Sequence, residues 1–200
     1  MKITVLTAGL SEPSSTRLLA DRLSTATATA LRERGAAVET TTIELRTLAH
    51  DVVDLLLTRV ATPELSAATA AVTDADALIV VTPTFSMSYS GLFKSFLDTI
   101  EEGALAGMPV LLAATGGTSR HSMVLDTALR PLLSYLKALT IPTAVYAAAE
   151  DWGSAGLDAR IQKAGRELAD VVVALPSRHR SDPFDADSAD FISFDQMLGR

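Results

Sequence analysis

Apolar residues along this chain change period repeatedly, from consecutive or alternating runs to spacings of three and four. Residues 2–8 carry Ile3, Val5 and Leu6 among threonines and stop at Gly9, which reads as a strand. Residues 14–34 place Leu19, Leu23, Ala26 and Ala30 four, three and four apart, a helix that Gly35 ends. A Val- and Thr-rich second strand is predicted over 37–45, then short helices over 49–60 and 66–73. Residues 77–82 (ALIVVT) are apolar without a break, the pattern of a strand buried on both faces. The periodicity predicts a helix over 89–101, with Leu92, Phe96 and Ile100 four apart, and a fourth strand over 109–114. The longest clear helix is predicted over 121–139, striped by Leu125, Leu129, Leu132, Leu136 and Leu139. A fifth strand over 142–147 and a helix over 157–175 complete the pattern, which breaks down beyond Pro176.

Five strands separated by helices predict an α/β fold: a three-layer, doubly wound, five-stranded parallel sheet with right-handed crossovers and strand order 2-1-3-4-5. Ligands of such sheets bind outside the carboxyl ends of the strands, where the strand order reverses. The loops after Ala8, Thr82 and Ala114 are therefore the ones in which to look for chemistry.

Composition narrows the picture further. At 200 residues, with 48% hydrophobic and 20% charged, the chain has enough apolar surface for one packed domain. There is no cysteine, which removes disulfides, thiolate metal sites and a cysteine nucleophile. No long apolar window suggests a membrane span, and no basic, then apolar leader precedes a cleavage site, so the expected compartment is the cytoplasm. The net charge is −7, and −4 of it falls in residues 181–200. Nucleic-acid binding wants a basic face, and none is visible. The expected division is one domain over 1–176 and an acidic tail or docking arm over 177–200, in which Phe184, Phe191 and Phe194 interrupt the acids.

The first loop, AGLSEPSSTR, gathers Ser11, Ser14, Ser15, Thr16 and Arg17 where the first helix begins. Helix N–H groups, hydroxyls and one cation suit a phosphate monoester. A single serine there is as readily an ordinary helix cap; the whole cluster at a switch-point loop favours phosphate. Neither GxGxxG nor GxxxxGK[ST] is present, so dinucleotide pyrophosphate binding and NTPase chemistry lose their main support. The second loop, TPTFSMSYSG, sets small hydroxyls beside Phe85 and Tyr89, which suits a flat polar ring but is also compatible with a turn and a cap. The third, ATGGTSRH, exposes backbone donors at Gly116 and Gly117. His121 reads more simply as a first-turn polar residue than as a catalyst. A monophosphate pocket beside a flat-ring pocket describes FMN on a doubly wound sheet. No Ser-His-Asp set, HExxH or carboxylate pair lies in these loops, which fits chemistry supplied by a flavin.

These stretches resemble the NADPH-dependent FMN reductase family of the flavodoxin-like superfamily. The resemblance is carried by Ser11 to Arg17, by TPTFSMSYSGLFKSFLD, and by PVLLAATGGTSRHSMVLDTALRPLLSYLKAL. It implies NAD(P)H-dependent reduction of FMN, in the subgroup that supplies reduced FMN to two-component monooxygenases, and a homodimer or homotetramer. It implies that Ser11, Ser15, Thr16 and Arg17 meet the FMN phosphate. Pro83, Thr84, Phe85 and Ser86 would line the ribityl chain and ring, and Thr115, Gly116, Gly117 and Thr118 the pyrimidine edge. No catalytic side chain and no metal are implied. The sulfonate-type members carry Tyr on a π-bulge where this chain has Thr127. A reductase that keeps its FMN and passes electrons to quinones, azo compounds or metal oxyanions is the alternative. An electron carrier is a further one, disfavoured because Glu12 is nearly the only carboxylate in these loops.

Overall fold

The computed structural model describes residues 1–175. The first strand, β1 (Lys2–Thr7), is solvent-shielded from Ile3 onward and pairs in parallel with both β2 (Glu39–Glu44) and β3 (Ala77–Phe85). β3 pairs in turn with β5 (Pro109–Gly116). The last position is shared by β6 (Leu139–Thr140) and β7 (Val145–Ala148), both parallel to β5. The path β2-β1-β3-β5-β6 is the expected order with the fifth strand in two pieces.

Alternation along the strands divides the core in two. Ile3, Val5, Ile79, Val81, Leu111 and Ala113 face helices α1 (Ser15–Glu33) and α6 (Ala155–Ala174). Leu6, Leu78, Val80, Val110 and Leu112 face α2 (Ala49–Thr58), α3 (Pro63–Thr73), α4 (Gly91–Leu97) and α5 (Arg130–Tyr135). Three helices start where a hydroxyl meets their free N–H groups. Ser14, Thr62 and Ser154 accept from Arg17, Leu65 and Leu157 respectively, and Pro63 follows Thr62 where no N–H is needed.

Four predicted elements differ. The strand expected to stop at Thr82 runs on to Phe85 and turns back as β4 (Ser88–Tyr89), a hairpin whose turn residues Ser86 and Met87 have φ of 47° and 67°. That is the left-handed pair a two-residue hairpin requires. The Ser90 N–H donates to Thr82 Oγ1 at 2.9 Å, so the helix after the hairpin starts only at Gly91.

The fifth strand is broken because its middle backbone groups bond to side chains instead of β5. Arg130 donates to the carbonyls of Ile141 (3.0 Å) and Pro142 (3.1 Å), and the Thr143 N–H donates to Glu167 at 3.0 Å.

The helix predicted over 121–139 divides into a 3₁₀ turn (Ser119–His121), a π-helical turn (Leu125–Leu129) and α5. Pro131 has no N–H for the Thr127 carbonyl, and the Arg130 N–H reaches back five residues to Leu125. The π turn thus forms with Thr127 in place of an aromatic. The expectation for residues 177–200 lies outside the described residues.

Helices α1 and α6 approach closely at Gly165, where a Cβ would lie 2.9 Å from backbone atoms of Ala26 and Thr27. Gly165→Ala gains helix propensity but forces two backbones apart, at a typical overpacking cost of about 1–3 kcal/mol. Its melting temperature is expected to fall by roughly 2–8 °C, measured by thermal denaturation; an unchanged or raised value would show that the interface yields.

Candidate functional site

The three loops expected to carry chemistry leave β1, β3 and β5 at the carboxyl edge of the sheet. The first folds tightly back on the start of α1. A Cβ on Gly9 would fall 2.1 Å from Ser14 Oγ, so only glycine fits there. Ser14 Oγ accepts from the Arg17 N–H at 3.2 Å and is the helix cap. Ser11 and Ser15 on either side are exposed. Thr16 is buried, and its Oγ1 lies 2.8 Å from Thr115 Oγ1. Arg17 donates Nε to Asp21 at 2.8 Å and Nη1 to Glu44. The Asp21 hydrogen bond, above all, raises the Arg17 pKa, so its guanidinium is a fixed charge. Arg46 pairs with Glu12 and ties the rim of this loop to the segment after β2.

The second loop is the hairpin. Pro83 and Thr84 are half-buried, and Ser86 is exposed on the turn. Phe85 is 46% exposed and Met87 67%, so the tip presents apolar surface to solvent. Tyr89 packs its ring 6.1 Å from that of Phe93 and faces the core.

The third loop is held from beneath. A Cβ on Gly116 would lie 2.0 Å from the Tyr146 hydroxyl, which donates to the Thr118 carbonyl at 3.1 Å. Burial pushes the Tyr146 phenol up, so it stays protonated as a donor. Thr84 Oγ1 lies near that hydroxyl but out of hydrogen-bonding geometry. Glu150 accepts from the Ser119 N–H at 3.2 Å, and backbone N–H groups hold its carboxyl below the usual range. Gly117 is exposed with open space around its Cα. His121 is half-buried beyond the loop, and Arg120 is exposed.

The structure therefore sorts the expected residues. Ser11, Ser15, Phe85, Ser86 and Gly117 are exposed at the carboxyl edge, while Thr16 and Thr115 are turned inward on each other. Arg17 is shared with two carboxylates. Tyr146, Glu44 and Glu150 escaped the sequence reading, because each comes from a different stretch and lies in no motif. The nearest signal was Gly116 itself, a glycine at the end of a buried strand. Among the described residues no cluster of His, Asp or Glu is arranged to hold a metal ion. The donor set fits FMN: the Gly9 cradle brings the α1 N–H groups and serine hydroxyls to one place, and the side-chain-free backbone at Gly117 is open to a flat ring edge.

The description "NADPH-dependent FMN reductase" belongs to a family model that matches residues 1–153. A Pseudomonas aeruginosa protein named FMN reductase (NADPH) is 38% identical over 175 residues, 84% of this chain and 90% of that protein. The NADH-dependent FMN reductase SfnF of Pseudomonas fluorescens is 38% identical over 174 residues, with the same coverage. An oxidoreductase from Corynebacterium diphtheriae superposes with a TM-score of 0.85 at 48% identity, over 88% of this chain and 98% of that one. An apo NADH:FMN oxidoreductase superposes at 0.75 with 27% identity, over 88% and 91%. With the family model matching most of the chain and the relatives spanned nearly end to end, this protein belongs to the NADPH-dependent FMN reductase family.

Proposed function

We propose that this protein catalyses reduction of FMN by NADPH or NADH through hydride transfer, and that it supplies reduced FMN to a partner flavin-dependent monooxygenase in the cytoplasm. The observation that carries the reading is that a hydroxyl-rich helix start, an exposed aromatic hairpin and a glycine-rich backbone lie at one edge of the sheet. The names of its relatives, which include reductases using either nicotinamide, support the same chemistry. Ser11, Ser15 and the first N–H groups of α1 hold the phosphate, with Arg17 setting the local charge. Pro83, Thr84, Phe85 and Ser86 flank the ribityl chain and ring. Gly116, Gly117 and Thr118 present backbone to the pyrimidine edge, with the Thr118 carbonyl already taken by Tyr146. FMN, when bound, supplies the ring that accepts the hydride. The protein's part is to hold and orient that ring; the Tyr146 phenol is a fixed donor rather than a base, and no side chain acts as a general acid.

The test is steady-state kinetics with NADPH and NADH. Exchanging FMN gives sequential patterns with a measurable KM for FMN, and His121→Ala keeps kcat within about tenfold of the native value. Ping-pong patterns with copurifying flavin would instead indicate a reductase that retains its FMN.

Arg17→Ala leaves Asp21 and Glu44 without their cation beside the phosphate position. FMN affinity is expected to fall about 10- to 150-fold, the size of a lost charge-assisted bond, with riboflavin affinity unchanged. Asp21→Asn in that background should recover part of the loss. Equal weakening of both flavins in a binding titration would remove Arg17 from the phosphate site.

A homodimer or homotetramer is part of the same reading. Phe93, Leu97 and Leu133 are buried in this subunit's own core. Met123, Tyr135 and Leu139 remain exposed around α5, with Tyr135 at 83%, and these support a face against a second copy. Light scattering at micromolar concentration should give at least twice the monomer mass, and Tyr135→Glu should lower it. A native monomer would end this assignment.

A further inference from the structure

We propose that Thr16 and Thr115 serve flavin binding as a buried latch, which fixes the spacing between the start of α1 and the 116–118 loop, and not as ligand contacts. The inference rests on the reading of these two loops as the two ends of an FMN site. The side chains are 3% and 4% exposed, and their Oγ1 atoms lie 2.8 Å apart across 99 residues of sequence. The flanking hydroxyls of Ser11 and Ser15 are exposed. Ser14 shapes the first turn of α1 locally, through Arg17 N–H, but does not fix where that turn sits over the sheet. Among the described residues, the Thr16–Thr115 pair is the side-chain hydrogen bond that joins this turn to the end of β5. From the opposite side the 116–118 loop is held by Tyr146 through the Thr118 carbonyl, with Glu150 on the next N–H. The loop is thus tethered on both flanks, and the threonine pair is its tether to the phosphate turn.

The energetic argument concerns geometry. A ligand gripped at both ends gains fully from the second grip only if the two subsites are correctly spaced, because hydrogen bonds weaken steeply with misplacement and a stretched or folded linking chain costs strain. FMN uses both ends and riboflavin lacks the phosphate. Loss of the latch therefore weakens FMN and spares riboflavin.

Valine has the shape of threonine without the hydroxyl, so Thr16→Val, Thr115→Val and the double variant separate this role from simple packing. Each single variant leaves one buried hydroxyl unpaired and lowers the melting temperature. The double variant removes both partners and regains most of it, since such paired replacements are nearly neutral. The latch predicts that FMN affinity, read by flavin fluorescence titration of the full chain, stays about tenfold weak in all three variants, the double included. Riboflavin affinity is expected to stay within about twofold of native. Recovery of FMN affinity together with melting temperature in the double variant would reduce the pair to packing and overturn the proposal. A fall in riboflavin affinity equal to that for FMN would mean that the second hydroxyl proton of the pair reaches the ring, and would overturn it too. A native protein that binds riboflavin as tightly as FMN would overturn the phosphate reading of α1 itself, and the latch with it.

Discussion

Burial of β3 and β5 on both faces is the constraint from which the rest of the molecule follows. Their residues from Ala77 to Thr82 and from Pro109 to Ala114 are shielded almost completely. Inside such a sandwich a polar side chain has few partners, and backbone N–H and C=O groups are consumed by the ladder. Groups able to meet a ligand are therefore pushed to the strand ends. At the carboxyl end the strand order reverses between β1 and β3, and the loops after β1, β3 and β5 leave the sheet at that end. The sheet does not take part in the chemistry; it decides where chemistry is possible.

At that edge the first loop presents small hydroxyls and the start of α1. Its one cation is shared by Asp21 and Glu44, so the three side chains together carry a net negative charge and present no bare guanidinium. Such an arrangement restrains affinity for anions in general and leaves discrimination to shape and to directed N–H groups.

Local features of this fold were legible in the sequence. The apolar run at 77–82, the four-and-three spacing of α1 and the caps at its start each depend on residues within a few positions of one another. So did the placement of Ser11, Ser15, Phe85 and Gly117 at one edge, once the strand order was inferred. What escaped depends on partners far along the chain. The gap between β6 and β7 exists because Arg130 and Glu167 supply hydrogen bonds that no periodicity encodes. The helix predicted over 121–139 divides ahead of Pro131, whose missing N–H disrupts the ladder and is legible in the sequence, whereas the leucine stripe alone runs on as one helix. The strand expected over 77–82 continues through Pro83, which sits in register with Thr115 at the end of a ladder where its missing donor matters little. In the sequence Thr16 is one more hydroxyl of the first loop; its inward turn toward Thr115 on β5 depends on a residue 99 positions away.

The contact beneath the third loop also bears on how this sequence can change. The Tyr146 hydroxyl occupies the volume that a methyl group on residue 116 would need. The two positions therefore vary as one. A lineage that shortens the side chain at 146 opens room for alanine or serine at 116, whereas either substitution at 116 alone meets a filled space. Drift at this edge of the sheet should pass through residue 146 first, so an exchange on a buried strand is the gate through which the third loop acquires new side chains.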